Sequence, residues 1–141
     1  VSKGAGMTKE ELRNIMYLDS RIESKIRQLE HIKSTMTDLG AIDYSKDRVQ
    51  TGVSSSVENT VIRVADLEAD INKDINKLVD MKQQARKVIN KAAGIESVIL
   101  EMRYLENMKW EEIAYRLNYS LPAVYKIHGK ALKTIKEYSK V

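Results

Sequence analysis

Tyr125, Lys126, Lys130 and Lys133 stand close together near the carboxyl end of a 141-residue chain. Ammonium groups beside a phenol suit one kind of chemistry, the grip on a polyanion. If Val124 points into a core, steps of 100° per residue set Pro122, Lys126, Gly129 and Lys133 on the far side of a helix. Tyr125, Lys130 and Lys136 then flank that side. Lysines beside a duplex meet phosphates and supply affinity and salt dependence rather than sequence choice. Base reading falls to Tyr125, Lys126 and Ser120, with Leu121 or Pro122 against a thymine methyl. Gly129 costs about 1 kcal/mol of helix propensity relative to Ala, and its small size lets the backbone approach something closely. The candidate DNA-binding set is therefore Ser120, Leu121, Pro122, Tyr125, Lys126, Gly129, Lys130 and Lys133. The competing reading is a solvated lysine face in which Gly129 is merely tolerated.

These residues need an element to carry them, and "WEEIAYRLNYSLPAVYKIHGKAL" supplies one. Trp110, Ile113, Ala114 and Leu117 lie on one helical face. After "NYS" a new phase begins with Val124, Ile127, Ala131, Leu132, Ile135 and Tyr138. Asn118 tolerates the positive φ that a tight helix-to-helix turn needs. Ser120 is placed to N-cap the helix that follows, and Pro122 falls in its first turn, where a missing N–H costs little. Helices are expected at about 95–106, 109–117 and 120–138, the last two forming a helix-turn-helix. Val98, Ile99, Met102 and Leu105 of the first would pack against the later two. Trp110 and a half-buried His128 read as core, and Tyr104, Tyr115 and Tyr119 as boundary residues.

Upstream, the apolar residues fall into heptads. Ile15, Ile22, Leu29 and Met36 share one position and Leu18, Ile32 and Leu39 the other, from Thr8 to about Asp38. Thr8 with Glu11 makes a capping box, and Gly40 is a natural stop. A second set, Val57, Val64, Ile71, Leu78 and Ala85 with Leu67, Met81 and Val88, runs from about Ser56 to Asn90. Each helix would be about 45–50 Å long at 1.5 Å per residue. The seams match as an antiparallel hairpin when paired residue numbers sum to 96, with 89 and 103 fitting the heptads equally. The first register brings Lys25 and Asp74, two polar intruders in the seam, within pairing distance. The segment at about 40–56 reads as a loop.

Composition narrows the classes. Charged residues make up 31%, phenylalanine and cysteine are absent, and one proline is present. Such a chain favours long helices and excludes disulfides and thiolate metal sites. His31 and His128 are 97 positions apart, and no phosphate loop or nucleophile motif is present, so no enzyme, cofactor or metal is expected. His31 reads as a helix-surface residue, and the methionines at 16, 36, 81 and 102 as packing. No membrane span or signal pattern is visible, and a cytoplasmic location is expected. Net charge is +4, and the segment 118–141 alone carries five basic residues against one acidic. Residues 1–6, "VSKGAG", read as a cloning remnant ahead of Met7.

The stretch "WEEIAYRLNYSLPAVYKIHGKALKTI" resembles the fourth, promoter-reading region of sigma-70 family factors. Glu111, Glu112, Ile113, Ala114, Ser120, Val124, Ile127, Lys130, Ala131 and Leu132 carry the likeness, which spans about residues 101–140. A two-helix arm before such a module is similar to small phage and prophage regulators of the ArpU and RinA kind. The resemblance implies a transcriptional regulator that lays the helix 120–138 in the major groove of promoter DNA. Where sigma factors carry the Arg, Glu and Gln that read the −35 element, this chain has Leu121, Pro122, Tyr125 and Lys126. A standard −35 sequence is therefore not the expected target. Lys109 stands where the family has a Ser or Thr cap, and no promoter-melting module is recognisable.

The expected fold is all-α: a long antiparallel two-helix coiled-coil arm (7–92), then a C-terminal three-helix helix-turn-helix domain (93–141). Expected partners are double-stranded DNA and, for the arm, RNA polymerase or a second copy in a homodimer. Two other functions fit the same elements. One is a protein-interaction adaptor that uses the arm. The other is a DNA-packaging protein like the small subunit of phage terminase, in which the DNA-binding part usually comes first rather than last.

Overall fold

The computed structural model describes residues 7–38 and 55–138, and within them the chain is all-α. The reading of residues 1–6, Leu39, the stop at Gly40 and the loop over 40–54 lie outside the described residues. Two long helices, α1 (Lys9–Asp38) and α2 (Ser55–Ile89), pack antiparallel. Three short ones follow, α3 (Gly94–Leu100), α4 (Trp110–Leu117) and α5 (Leu121–Tyr138). The capping box opens α1 as expected. Thr8 Oγ1 accepts from the Glu11 N–H at 3.2 Å, and Glu11 Oε1 accepts from the Thr8 N–H at 3.0 Å. Two orphan amides are thereby satisfied.

The described chain divides into two compact units, one of residues 20–76 and one of residues up to 19 together with 77 onward. In the first, Ile22, Met36 and Ile71 are buried along the seam, while Leu29, Ile32, Val64 and Leu67 are half-buried. A pair of helices has only one seam, so partial burial is what this geometry provides. Lys25 Nζ donates to Asp70 Oδ2 and to Asp74 Oδ2, each at 2.6 Å, and Lys33 Nζ donates to Glu68 Oε2 at 2.9 Å. The Asp70 and Asp74 carboxylates hold the Lys25 ammonium above its ordinary range. The exposed pairs add little stability, and the partly buried Lys25–Asp74 pair, a polar contact at a seam position, selects register. With paired numbers summing to 96, Lys25 faces position 71, between its two carboxylates. A slip of one heptad would set it opposite Val64 or Leu78, off the point midway between the two carboxylates, so that it could no longer meet both.

In the second unit the short helices are not sealed among themselves. One core gathers Leu12 and Ile15 of α1, then Ala85, Val88 and Ile89 of α2 with Ala92, and adds Leu100, Tyr104, Leu105, Ala131 and Ile135. A second core holds Ile99, Met108, Ile113, Ala114 and Val124, covered by Trp110, Leu117, Leu121 and Ile127. The helix expected over 95–106 is α only to Leu100, and residues Glu101–Leu105 continue as a π-helical turn. The Glu106 N–H reaches back to the Glu101 carbonyl at 3.0 Å and that of Met108 to Met102 at 3.0 Å. Asn107 turns the chain at φ 56°. The wider turn shifts the helical phase. Tyr104 and Leu105 face the same core as Leu100, and Ile99 faces the other, while Val98, expected inside, is 36% exposed.

Two outcomes follow. In a chain without native cysteine, the double variant Leu29→Cys with Leu67→Cys should oxidise to an intrachain disulfide. Leu29→Cys with Thr60→Cys, or with Asp74→Cys, should remain reduced, and mass spectrometry after mild oxidation decides. A fragment of residues 93–141 lacks Leu12, Ile15, Ala85, Val88 and Ile89 over its own apolar residues. It should lose most of its helical circular dichroism and melt without cooperativity, whereas a sharp melt near that of the full chain would contradict the shared core.

Candidate functional site

The α4–α5 corner is built by its turn. The helix α4 begins after Lys109, whose backbone is extended and whose side chain makes no cap, and Glu111 and Glu112 face the positive end instead. Asn118 closes the helix in the left-handed region at φ 61° and ψ 39°. Its N–H bonds the Tyr115 carbonyl at 3.2 Å, and the Tyr119 N–H bonds that of Ala114 at 3.0 Å. That pair of bonds is a Schellman ending with Asn in the place usually taken by Gly. Ser120 then starts α5, its Oγ accepting from the Ala123 N–H at 3.2 Å. Three residues thus reverse the chain with its backbone groups satisfied.

The helix α5 is two-sided. Val124, Ala131 and Ile135 are fully buried and His128 is 7% exposed. Pro122, Tyr125, Lys126, Gly129, Lys130 and Lys133 are exposed along the other side, with Ser120 at its start. Of the eight candidate residues, Leu121 is placed differently from the rest, half-buried against the second core. Ser120 is exposed, but its hydroxyl is engaged as the cap. A Cβ added at Gly129 would meet nothing within 4 Å, so nothing inside the described chain demands glycine there.

Beneath Tyr125 lies a polar and aromatic layer. The ring of Trp110 meets Tyr125 edge-on at 5.3 Å and His128 edge-on at 4.6 Å, while the Arg103 guanidinium sits 4.4 Å over the indole. Arg103 also donates to the Met108 carbonyl at 2.9 Å, which ties the π-turn to its exit. Tyr104 and His128 share a hydrogen bond of 2.7 Å between Oη and Nε2. Burial pushes the Tyr104 phenol up, against a partial opposing pull from Arg103 and Arg13. Burial first, then the charges of Lys9, Arg103 and Arg13, lowers His128 to about 4. Near neutral pH the imidazole is therefore neutral, and the phenol and Nε2 share one proton's hydrogen bond, its direction set by the tautomer.

Tyr104, expected at the boundary, is 2% exposed, because the π-turn swings it inward onto His128. Tyr115 is 87% exposed and touches neither core, since it lies opposite Ile113 and Ala114 on α4. Trp110 is half-buried against the second core. Lys9 and Arg13, more than 90 positions upstream in the chain, were not legible as neighbours of this corner, for no local pattern joins them to it. Among the described residues no group of three or more His, Cys, Asp or Glu is arranged to hold a metal.

The family model described as "Protein of unknown function (DUF722)" matches residues 11–137. No curated protein and no solved structure matches the chain.

His128 gives a pH test. The unfolded imidazole takes up its proton near 6.5 and the folded one only near 4. Stability from this residue is therefore complete above pH 6.5 and lost progressively as pH falls toward 4, a change on the order of 2–3 kcal/mol. Urea denaturation across that range should show the decline, and His128→Gln should flatten it relative to the parent chain.

Proposed function

The chain belongs to DUF722, and from that premise we propose that it is a DNA-binding transcriptional regulator of the sigma-factor-like, phage or prophage kind. In this reading α5 enters the major groove of promoter duplex and α4 crosses the backbone above it. The observation that carries the proposal is the division of α5. Its aliphatic side is sealed in two cores, while Tyr125, Lys126, Lys130 and Lys133 lie on the side turned to solvent. The tight turn through Asn118 and Ser120 supports it, since the crossing of α4 over α5 is what that module uses to present its second helix. Pro122 and Tyr125 are exposed near the start of α5, where the helix would meet base edges. The resemblance to the sigma-70 promoter-reading region and to the ArpU and RinA regulators belongs to the same proposal, as do RNA polymerase and a homodimer as partners of the arm. The role is one of binding rather than catalysis.

Fluorescence anisotropy of the full chain with a random-sequence duplex, between 50 and 200 mM salt, tests the reading. The logarithm of affinity should fall linearly with the logarithm of salt. Lys126→Glu and Lys130→Glu should each weaken binding and lower the slope by about 1. A slope near zero, with both variants silent, overturns the proposal.

A further inference from the structure

Beside the recognition corner, wholly within the unit that carries it, lies a cavity of about 300 Å³ whose wall includes Lys9, Arg13, Tyr17, Arg103, Trp110 and Tyr125. Its composition is one-sided. Three permanent cations line it and no carboxylate does. None of the three pairs with a carboxylate of the cavity wall, although Arg103 also lies 4.4 Å over the Trp110 ring. Arg13 meets the exposed Glu10 at 3.4 Å, near the limit of a hydrogen bond, and Arg103 spends one N–H on the Met108 carbonyl. Their fields converge, for all three depress the same imidazole at the cavity's edge. A concentration of positive charge with no acid to balance it favours an anion there.

The rings specify the rest of the ligand. Tyr17 and Tyr125 line the same cavity and remain 56% and 46% exposed. Tyr125 stands at 73° to the Trp110 ring, and nearly half of it remains open to a planar group. Tyr17 serves neither core as a buried member. Exposed aromatic faces stack readily on nucleobases, and guanidinium forks match phosphate oxygens. The volume is at the small end of the range for small-molecule sites.

We propose that this cavity binds a nucleotide unit, with the phosphate held by Lys9 and Arg13 and the base stacked on Tyr17 or Tyr125. The unit can come from a free mononucleotide or from an unpaired nucleotide of a strand, and the chemistry of capture is the same. The site does not require that α5 read duplex DNA, since Lys126, Lys130 and Lys133 take no part in it.

Trp110 is the only tryptophan in the chain, so its fluorescence reports the cavity directly. The full chain is titrated with adenosine 5′-monophosphate and, at matched ionic strength, with inorganic phosphate. Saturable quenching by the mononucleotide is expected, with half-saturation at least tenfold below that of phosphate. Arg13→Glu and Lys9→Glu should each weaken it tenfold or more while circular dichroism stays unchanged, and Lys126→Glu should leave it intact. Competition by single-stranded oligothymidine supports a strand as the source, and failure to compete supports a free nucleotide. The proposal is overturned if quenching does not saturate, if phosphate binds as well as the mononucleotide, or if both cavity variants that keep the helical spectrum bind like the parent. Loss of duplex binding in Lys126→Glu with the mononucleotide titration unchanged separates this site from the α5 surface.

Discussion

Val124, Ala131 and Ile135 are buried completely along a single line of α5, yet they do not enter the same core. Val124 closes the cluster built on Ile99, Met108 and Ile113, whereas Ala131 and Ile135 close the one that contains Leu12 and Ile15 of α1. A helix sealed at two places along its length cannot roll about its axis without opening one of them, and each exposed apolar side chain would cost about 1.5–3 kcal/mol. The rotation of α5 is therefore set by hydrophobic burial. Where the lysines point is a consequence of that burial rather than of any interaction they make themselves.

The buried polar layer refines the same constraint. His128 sits on the inward side of α5, and an imidazole there must find a partner or lose hydration without return. Tyr104 supplies it at 2.7 Å, and can do so because the π-turn carries the phenol inward. Trp110 packs edge-on against the same imidazole and against Tyr125, so the outermost aromatic of α5 is braced by the layer that fixes its innermost polar group. An apolar residue at 128 would satisfy burial equally well, but would leave the Tyr104 hydroxyl unpaired. The pair thus makes one packing arrangement better than its neighbours.

What could be read from the sequence was what local chemistry determines. The heptads of α1 and α2, the capping box at Thr8, the left-handed Asn118 and the Ser120 cap each follow from a few adjacent residues, and each stands in the structure as expected. Lys25 facing Asp74 was legible too, because two polar intruders in a seam have few ways to be satisfied. The grouping of α1's first turns with the short helices was not. Leu12 and Ile15 look like any other seam residues, and nothing near them says that Leu100 and Ile135 will share their core. The π-turn was equally hidden, since "EMRYLENM" keeps an acceptable α-helical pattern and the extra residue is recognised only by where Tyr104 ends up. Lys9 and Arg13 reached the α5 corner by the same long-range packing.

Charge follows the division between what is local and what is not. Along the arm three lysines meet acids across the seam: Lys25 with Asp70 and Asp74, Lys33 with Glu68, Lys82 with Asp19 at 3.6 Å. Those pairs are partly exposed and contribute little to stability, but they spend the positive charge on holding two helices in register. Lys126, Lys130 and Lys133 form no ion pair among the described residues, although α4 with its Glu111 and Glu112 is close by in the chain. The reason is geometric. Glu111 and Glu112 sit at the N-terminal end of α4, where they complement the helix dipole, and the rotation of α5 turns its lysines outward. A chain whose arm pairs some of its cations with acids while Lys126, Lys130 and Lys133 of its last helix stand without an ion pair has an uneven surface field. At ordinary ionic strength that field extends roughly 8–10 Å before salt screens it, which is far enough to orient an approaching polyanion before any side chain touches it.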